Sequence, residues 1–428
     1  KNRRLSVDKL AKTCDSSVFK TAKKGELPSG IRFIGQDRAI EAIEFGLNMK
    51  GHGYNIYVAG LPGLGKGTIV SAYLNRVAER HPPPPDWCYV FNFDQPDAPA
   101  AISLPSGQGS VFADDMDNLI NYIRTSIKKA FSSAEFKELR GRLIEQMEKD
   151  RQRILDKFNK KIQKYGLVLR VTEQGIISFP AINGEMIPFE RLKELSPDQR
   201  EKMIETNKGA KPELEKAFLE LQKLERKNNA KISRLLRDMT EGIVKPLVDE
   251  VREKYNQNQE IQKYLKNVQE DLLSNATVLF PELSPRPADG EQYSPETLED
   301  EFSRYVVNVF IDNSQTRGAP VVRESNPSYY NLFGRIEHRA IMGTLVTDFS
   351  MIKPGSLHKA NGGYLVIHAS DLLRRGFSYD SLKRALRNRE ISIEDPRETM
   401  DLTSTEQLRP QPIPLNLKII LVGSQAIY

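Results

Sequence analysis

One short run of residues constrains this chain more than any other. Gly60-Leu-Pro-Gly-Leu-Gly-Lys-Gly-Thr68 follows Asn55-Ile-Tyr-Val-Ala59, an apolar stretch of strand character, and leads into a helical pattern that continues through Ala78. Strand, glycine loop and helix, in that order, are what a phosphate-binding loop requires. The glycines let backbone N–H groups face inward around phosphate oxygens, and the helix N-terminus adds its positive dipole end. Gly60, Pro62, Gly63 and Gly65 form the cradle, and Lys66 is placed to reach the β- and γ-phosphates of ATP or ADP. The last place departs from the pattern. Gly67 stands where a Ser or Thr hydroxyl would ligate Mg²⁺. Thr68 comes one residue late, and one residue turns a helical side chain by about 100°.

The second half of such a site is an apolar strand ending in Asp-Glu. Gly363-Tyr-Leu-Val-Ile-His368 supplies the apolar run, but His368 and Ala369 occupy the Asp-Glu places. Two losses at the metal position predict a loop that holds nucleotide, fits Mg²⁺ poorly and hydrolyses ATP weakly or not at all. The open alternative is a carboxylate from Asp371, Asp348 or a neighbouring subunit. Further strands are expected at Cys88–Phe93, Arg304–Asp312 and Leu417–Val422, with a helix at Ser381–Asn388. A phosphate loop followed by more strands predicts an α/β fold with a parallel sheet.

Between these parts the pattern changes. Phe136, Leu139, Leu143, Met147, Ile154, Phe158, Ile162 and Tyr165 recur at mostly three- and four-residue spacings with charges between them. Leu214, Phe218, Leu221, Leu224, Ile232, Leu235, Met239 and Leu247 repeat the design. Narrow apolar seams on charged helices predict an antiparallel helical hairpin. Glu138/Arg142, Glu145/Lys149 and Asp156/Lys160 are favourable i,i+4 pairs. A β-type segment with a turn at Glu173-Gln-Gly175 lies between the two runs. The expected division is an N-terminal arm (1–30), a first α/β part (31–115), a helical hairpin inserted at 116–299 with a β tip at about 166–189, and a second α/β part (300–428).

Composition excludes several classes. No apolar stretch is long enough to span a membrane. Cys14 and Cys88 cannot build a disulfide framework and match no zinc spacing, so a reducing cytoplasmic compartment is expected. The net charge of +6 is mild for 428 residues and does not by itself indicate a nucleic-acid binder. Lys1 rather than Met at the start leaves any targeting segment unread.

With both motifs in place, the chain resembles the AAA+ module of Lon-type proteases. Phe33-Ile-Gly-Gln-Asp-Arg-Ala39 is similar to the segment before the phosphate loop that contacts adenine, with Ile34 and Gly35 at the contact. More specific are Asn331-Leu-Phe-Gly-Arg-Ile-Glu-His338 and Lys353-Pro-Gly-Ser-Leu-His-Lys-Ala-Asn-Gly-Gly-Tyr-Leu-Val-Ile367, which resemble segments of B-type Lon enzymes. The Lon-related group with a degenerate AAA+ domain and a long helical insertion, which includes the C-type enzymes, is the nearest in kind. The resemblance implies a homohexameric ring that admits unfolded or damaged proteins to a serine-protease chamber. No Ser-Lys peptidase motif occurs in the chain, so the helical lid and the protease domain are expected beyond Tyr428. Leu417–Ser424 resembles the sensor-1 strand, with Ser424 at the polar sensor place.

Other features carry competing roles. Asp348-Phe-Ser-Met-Ile352 offers Phe349 and Met351 as a pore loop that grips substrate, or Phe349 as core. His338, His358 and His368 lie close in sequence but match no metal spacing, so no metal site is assigned. Lys149, Arg151, Arg153, Lys157, Lys160, Lys161 and Lys164 form a basic helix face, read as solvated or as a contact for nucleic acid, which is the less favoured partner. Ile176, Ile177, Phe179 and Ile187 in the tip could catch client proteins or form a small core. Two other functions compete with the protease module. One is an active coiled-coil ATPase of the structural-maintenance-of-chromosomes kind, which would need an LSGG-type signature that the chain lacks. The other is a DNA-binding scaffold.

Overall fold

The computed structural model describes residues 6, 36–49, 53–172, 175–182, 185–186, 209–279, 301–341, 344–394 and 408–428. The chain opens with α1 (Asp37–Asn48), β1 (Ile56–Ala59) and α2 (Lys66–Ala78). Strands β2 (Asp86–Val90) and β3 (Ala100–Leu104) precede the long helices α3 (Gln108–Ser132) and α4 (Ala134–Ile162). Strands β4 (Leu167–Thr172) and β5 (Gly175–Ile182) lead to α5 (Lys211–Lys254) and α6 (Gln259–Ser274). Then follow β6 (Asn308–Ile311), β7 (Val321–Glu324), the antiparallel pair β8 (Arg339–Ile341) and β9 (Thr344–Val346), β10 (Tyr364–His368), α7 (Gly376–Asn388) and β11 (Lys418–Gly423).

The sheet that carries the glycine loop is parallel throughout, in the order β1-β11-β10-β7. Its central strands β10 and β11 are apolar on both faces, as a parallel sheet between helices demands. Successive side chains alternate between two cores. Tyr364, Val366, Ile420 and Val422 pack with Ile43 of α1 and Val70, Tyr73 and Leu74 of α2. Leu365, Ile367 and Ile419 pack on the opposite face with Leu382 and Ala385 of α7. The result is a three-layer α/β sandwich with the glycine loop at the C-terminal end of β1.

The strand expected at Cys88–Phe93 does not join this sheet. As β2 it pairs antiparallel with β3 and with β6, the strand expected within Arg304–Asp312. An apolar run identifies a strand but not its partner. The face of β2 and β3 that holds Cys88, Val90, Ile102 and Leu104 is covered by α3, α5 and α6 in the largest core of the molecule.

Helices α4 and α5 run antiparallel, fixed by Lys157 to Glu220 and Lys161 to Glu213 across the pair. Phe158, Ile162, Leu167, Ala217 and Leu221 close the core at the end nearest β4. The seam is uneven, because Leu139 and Phe218 are exposed. Arg142 and Lys149 pair with Glu138 and Glu145 as expected. Asp156 instead accepts from Gln152 Nε2 at 2.8 Å. Ser133 breaks the run between α3 and α4 and caps α4, accepting from the Phe136 N–H.

Candidate functional site

The glycine loop is built as a phosphate cradle. Gly65, with φ +68°, is the left-handed cap from which α2 starts, a conformation that costs a side chain but not glycine. The loop is tied to the sheet by the Gly60 N–H, which donates to Gly423 O at 3.2 Å. Lys66 is the first residue of α2 and folds over the loop. Its ammonium donates to Gly60 O at 2.8 Å and Leu61 O at 2.6 Å. Its stem crosses Gly60 so closely that a β-carbon there would stand 3.0 Å from Lys66 Cδ. The cradle therefore fits phosphate oxygens: a glycine loop, a helix N-terminus and one ammonium folded over it. Ile34 and Gly35, the proposed adenine contacts, lie outside the described residues.

The metal position does not fit Mg²⁺. Gly67 brings no hydroxyl, and Thr68 is exposed. Beside Gly67 lies a cation instead. Arg323, on β7, places its guanidinium Nη2 3.3 Å from where a Gly67 β-carbon would be. The same Nη2 lies 3.3 Å from His368 Nε2, at the end of β10. A guanidinium only donates, so His368 Nε2 accepts. Register explains the meeting. Arg323 is the cross-strand partner of Val366, so Arg323, Val366 and His368 share the sheet face that α2 covers. A divalent ion about 4 Å from a guanidinium would be repelled by roughly 2 kcal/mol even in bulk water.

Among the described residues, Asp371 and Asp348 have local partners of their own. Ala369 is 1% exposed, so a glutamate there would start from a buried position. Asp371 accepts from Ser370 Oγ at 3.2 Å, next door in its own helix turn. Asp348 caps its own turn through the Ser350 N–H at 2.7 Å and pairs with Arg339 at 3.6 Å. Among the described residues, no group of three or more His, Cys, Asp and Glu side chains could hold a metal ion.

Ser424 follows β11, the strand between β1 and β10, and so sits beside the loop. Its carbonyl accepts from the Tyr57 hydroxyl at 2.8 Å. That hydroxyl occupies the space beside Gly423, where a β-carbon would lie 2.1 Å away.

Residues 317–428 match the family described as "LonB-like, AAA domain", and residues 86–119 match "Lon-like LonC helical domain". Both matches support a Lon-related family. The first spans Arg323, His368, Ala369 and Ser424 but not the glycine loop. The second spans β2, β3 and the first half of α3. No curated protein matches the chain.

Phe349 falls on the core side of its two readings. It is 4% exposed and packs in a core with Tyr89, Phe310 and Ile352, its ring 6.2 Å from that of Phe91. Its carbonyl is held by Asn308 Nδ2 at 2.8 Å. Met351 is partly buried. The exposed apolar side chains nearby are Leu345 and Val346 on β9, whose apolar character is too short a signal to distinguish from core.

Most of the basic helix face is paired with acidic side chains. Lys149, Arg151, Arg153, Lys157 and Lys161 are paired with Glu145, Glu148, Asp150, Glu220 and Glu213. This favours the solvated-face reading over a phosphate-binding one. Of the tip residues, Phe179 is partly buried. Ile187 and the side chains of Ile176 and Ile177 lie outside the described residues. His358 is 2% exposed, edge-on to the Phe310 ring at 4.8 Å, and is a core histidine. Arg323 was not legible as a site residue. Val321-Val-Arg-Glu324 is four residues long and matches no motif. The one available signal was Gly67, an absent side chain whose space another group must fill. Among the described residues, no helix is long and apolar enough to cross a membrane.

Proposed function

We propose that this chain is the AAA+-derived ring module of a Lon-like protease, which recognises or gates unfolded protein on its way to a peptidase domain outside the sequence. It binds ATP or ADP in the Gly60–Thr68 loop and hydrolyses ATP weakly or not at all. The observation that carries the nucleotide part is the Gly67–Arg323–His368 arrangement: the cradle is formed, but a cation and an imidazole take the places of the metal ligands. The family matches support the protease part. Segment 116–299 is an insertion between the two α/β parts, 31–115 and 300–428, and the ring is a homohexamer working in the cytoplasm. Substrate contact falls to exposed apolar residues such as Leu345 and Val346 rather than to Phe349.

The test is retention of a permanently unfolded protein and of its folded form on the immobilised chain, with the oligomeric state measured in parallel by analytical ultracentrifugation. The proposal expects the unfolded form alone to be retained, by a ring-sized assembly. Equal retention of both forms, or of neither, would overturn it.

A further inference from the structure

The parallel sheet brings two cations to the mouth of the loop by different routes. Lys66 comes from α2, as in any phosphate loop. Arg323 comes from the edge strand β7 and stands over Gly67, on the side where the metal would be held. Arg323 is exposed, and its Nη2 donates to His368 Nε2. The neighbouring Glu324 lies on the opposite face of the sheet. That carboxylate accepts from the Asn326 N–H at 2.7 Å and from the Ser356 hydroxyl. A guanidinium can offer two parallel N–H donors to a phosphate, with charge assistance.

We propose that Arg323 does the work of the missing metal: the loop takes the terminal phosphate of a nucleoside di- or triphosphate in its metal-free form, between Lys66 and Arg323. Gly67 leaves room for this, because a β-carbon at position 67 would stand 3.3 Å from Nη2 and push the guanidinium from its place. His368 positions Arg323 and does not touch the ligand. This rests on the reading of Gly60–Thr68 as a nucleotide site. It adds that the site selects the metal-free nucleotide.

The experiment is titration calorimetry of ADP and ATP into the 428-residue chain, once with excess Mg²⁺ and once with EDTA, for the wild type, Arg323→Gln and Arg323→Lys. The wild type is expected to bind at least as tightly in EDTA as in Mg²⁺. Arg323→Gln is expected to lose about tenfold or more in EDTA, the range of a charge-assisted bond. Arg323→Lys should recover part of that loss. Arg323 is exposed, so the variants should keep the wild-type melting temperature, which checks that any loss is local. A second variant, Arg323→Ala with Gly67→Ser and His368→Asp, removes the guanidinium and supplies metal ligands; its binding should now be stronger with Mg²⁺ than with EDTA. Binding that needs Mg²⁺ in the wild type, or that is unchanged in Arg323→Gln, would overturn the role of Arg323 and leave the nucleotide reading standing. No binding in either buffer would overturn both.

Discussion

Asp86 and Asn313 hold each other across the edge of the antiparallel sheet. The Asp86 carboxylate, fully buried, accepts the Asn313 N–H at 2.7 Å and the Gly109 N–H at 2.8 Å, while Asn313 Nδ2 donates to Pro85 O at 2.9 Å. One carboxylate thus satisfies two buried backbone donors and joins β2, the start of α3 and the loop after β6. Removing it leaves both donors unsatisfied, at about 1–3 kcal/mol each. Asp86→Ala is expected to lose about 3 kcal/mol of stability. The adjacent Trp87 is the single tryptophan, so its fluorescence in a urea titration reports this unit directly. An unchanged midpoint would contradict the role given to Asp86.

Burial holds the His358 imidazole down to about 3, from an ordinary value of 6.5. Its Nδ1 accepts from the Gly355 N–H at 3.4 Å, and its Nε2 has no hydrogen-bond partner among the described residues. Unfolded chains take up this proton as pH falls through 6.5, whereas folded chains resist it until about 3. This contribution to stability is therefore complete above 6.5 and declines as pH drops through that window, by about 1.4 kcal/mol per unit. The urea midpoint of the wild type should fall from pH 7 to pH 4 more steeply than that of His358→Leu. Parallel slopes for the two proteins would show that His358 is not the group responsible.

Phe349 and Leu345 should separate core from surface. Phe349→Ala is expected to cost about 3–5 kcal/mol, as deletion of a buried aromatic does. Leu345→Ala, at a side chain 70% exposed, should stay within about 0.5 kcal/mol and act instead on retention of unfolded protein. A stable Phe349→Ala variant with impaired retention would return Phe349 to the pore.

Gly67→Ser alone should not create an ATPase. The hydroxyl would meet the Arg323 guanidinium, the end of a flexible, exposed side chain that can move aside, so folding should be little affected. His368 and Ala369 would still offer no carboxylate. Melting temperature and phosphate release are both expected to match the wild type. Metal-dependent turnover in this variant would mean that an acidic ligand reaches the site from elsewhere.

Local chemistry made much of the α/β core readable. Left-handed glycine, lysine and an apolar strand located β1, the loop and α2 almost to the residue, with α2 ending at Ala78. Apolar runs buried on both faces likewise located β10 and β11. What the pattern could not show was which strands pair. Cys88-Tyr-Val-Phe-Asn-Phe93 has the apolar run of a sheet core, yet the strand there pairs with Ala100–Leu104 and Asn308–Ile311, set by tertiary packing. The candidate site divides the same way. Gly67, His368 and Ala369 were visible as departures from a motif, because each is an absence at a fixed spacing. Arg323 belongs to no motif, and only the register of β7 against β10 brings it there.

The most direct measurement is steady-state phosphate release from ATP with excess Mg²⁺, by the wild type and by Lys66→Ala. A site whose metal position holds Arg323 and His368 predicts release at background for both proteins, although the wild type binds nucleotide and the variant does not. Mg²⁺-dependent turnover in the wild type that Lys66→Ala abolishes would contradict it.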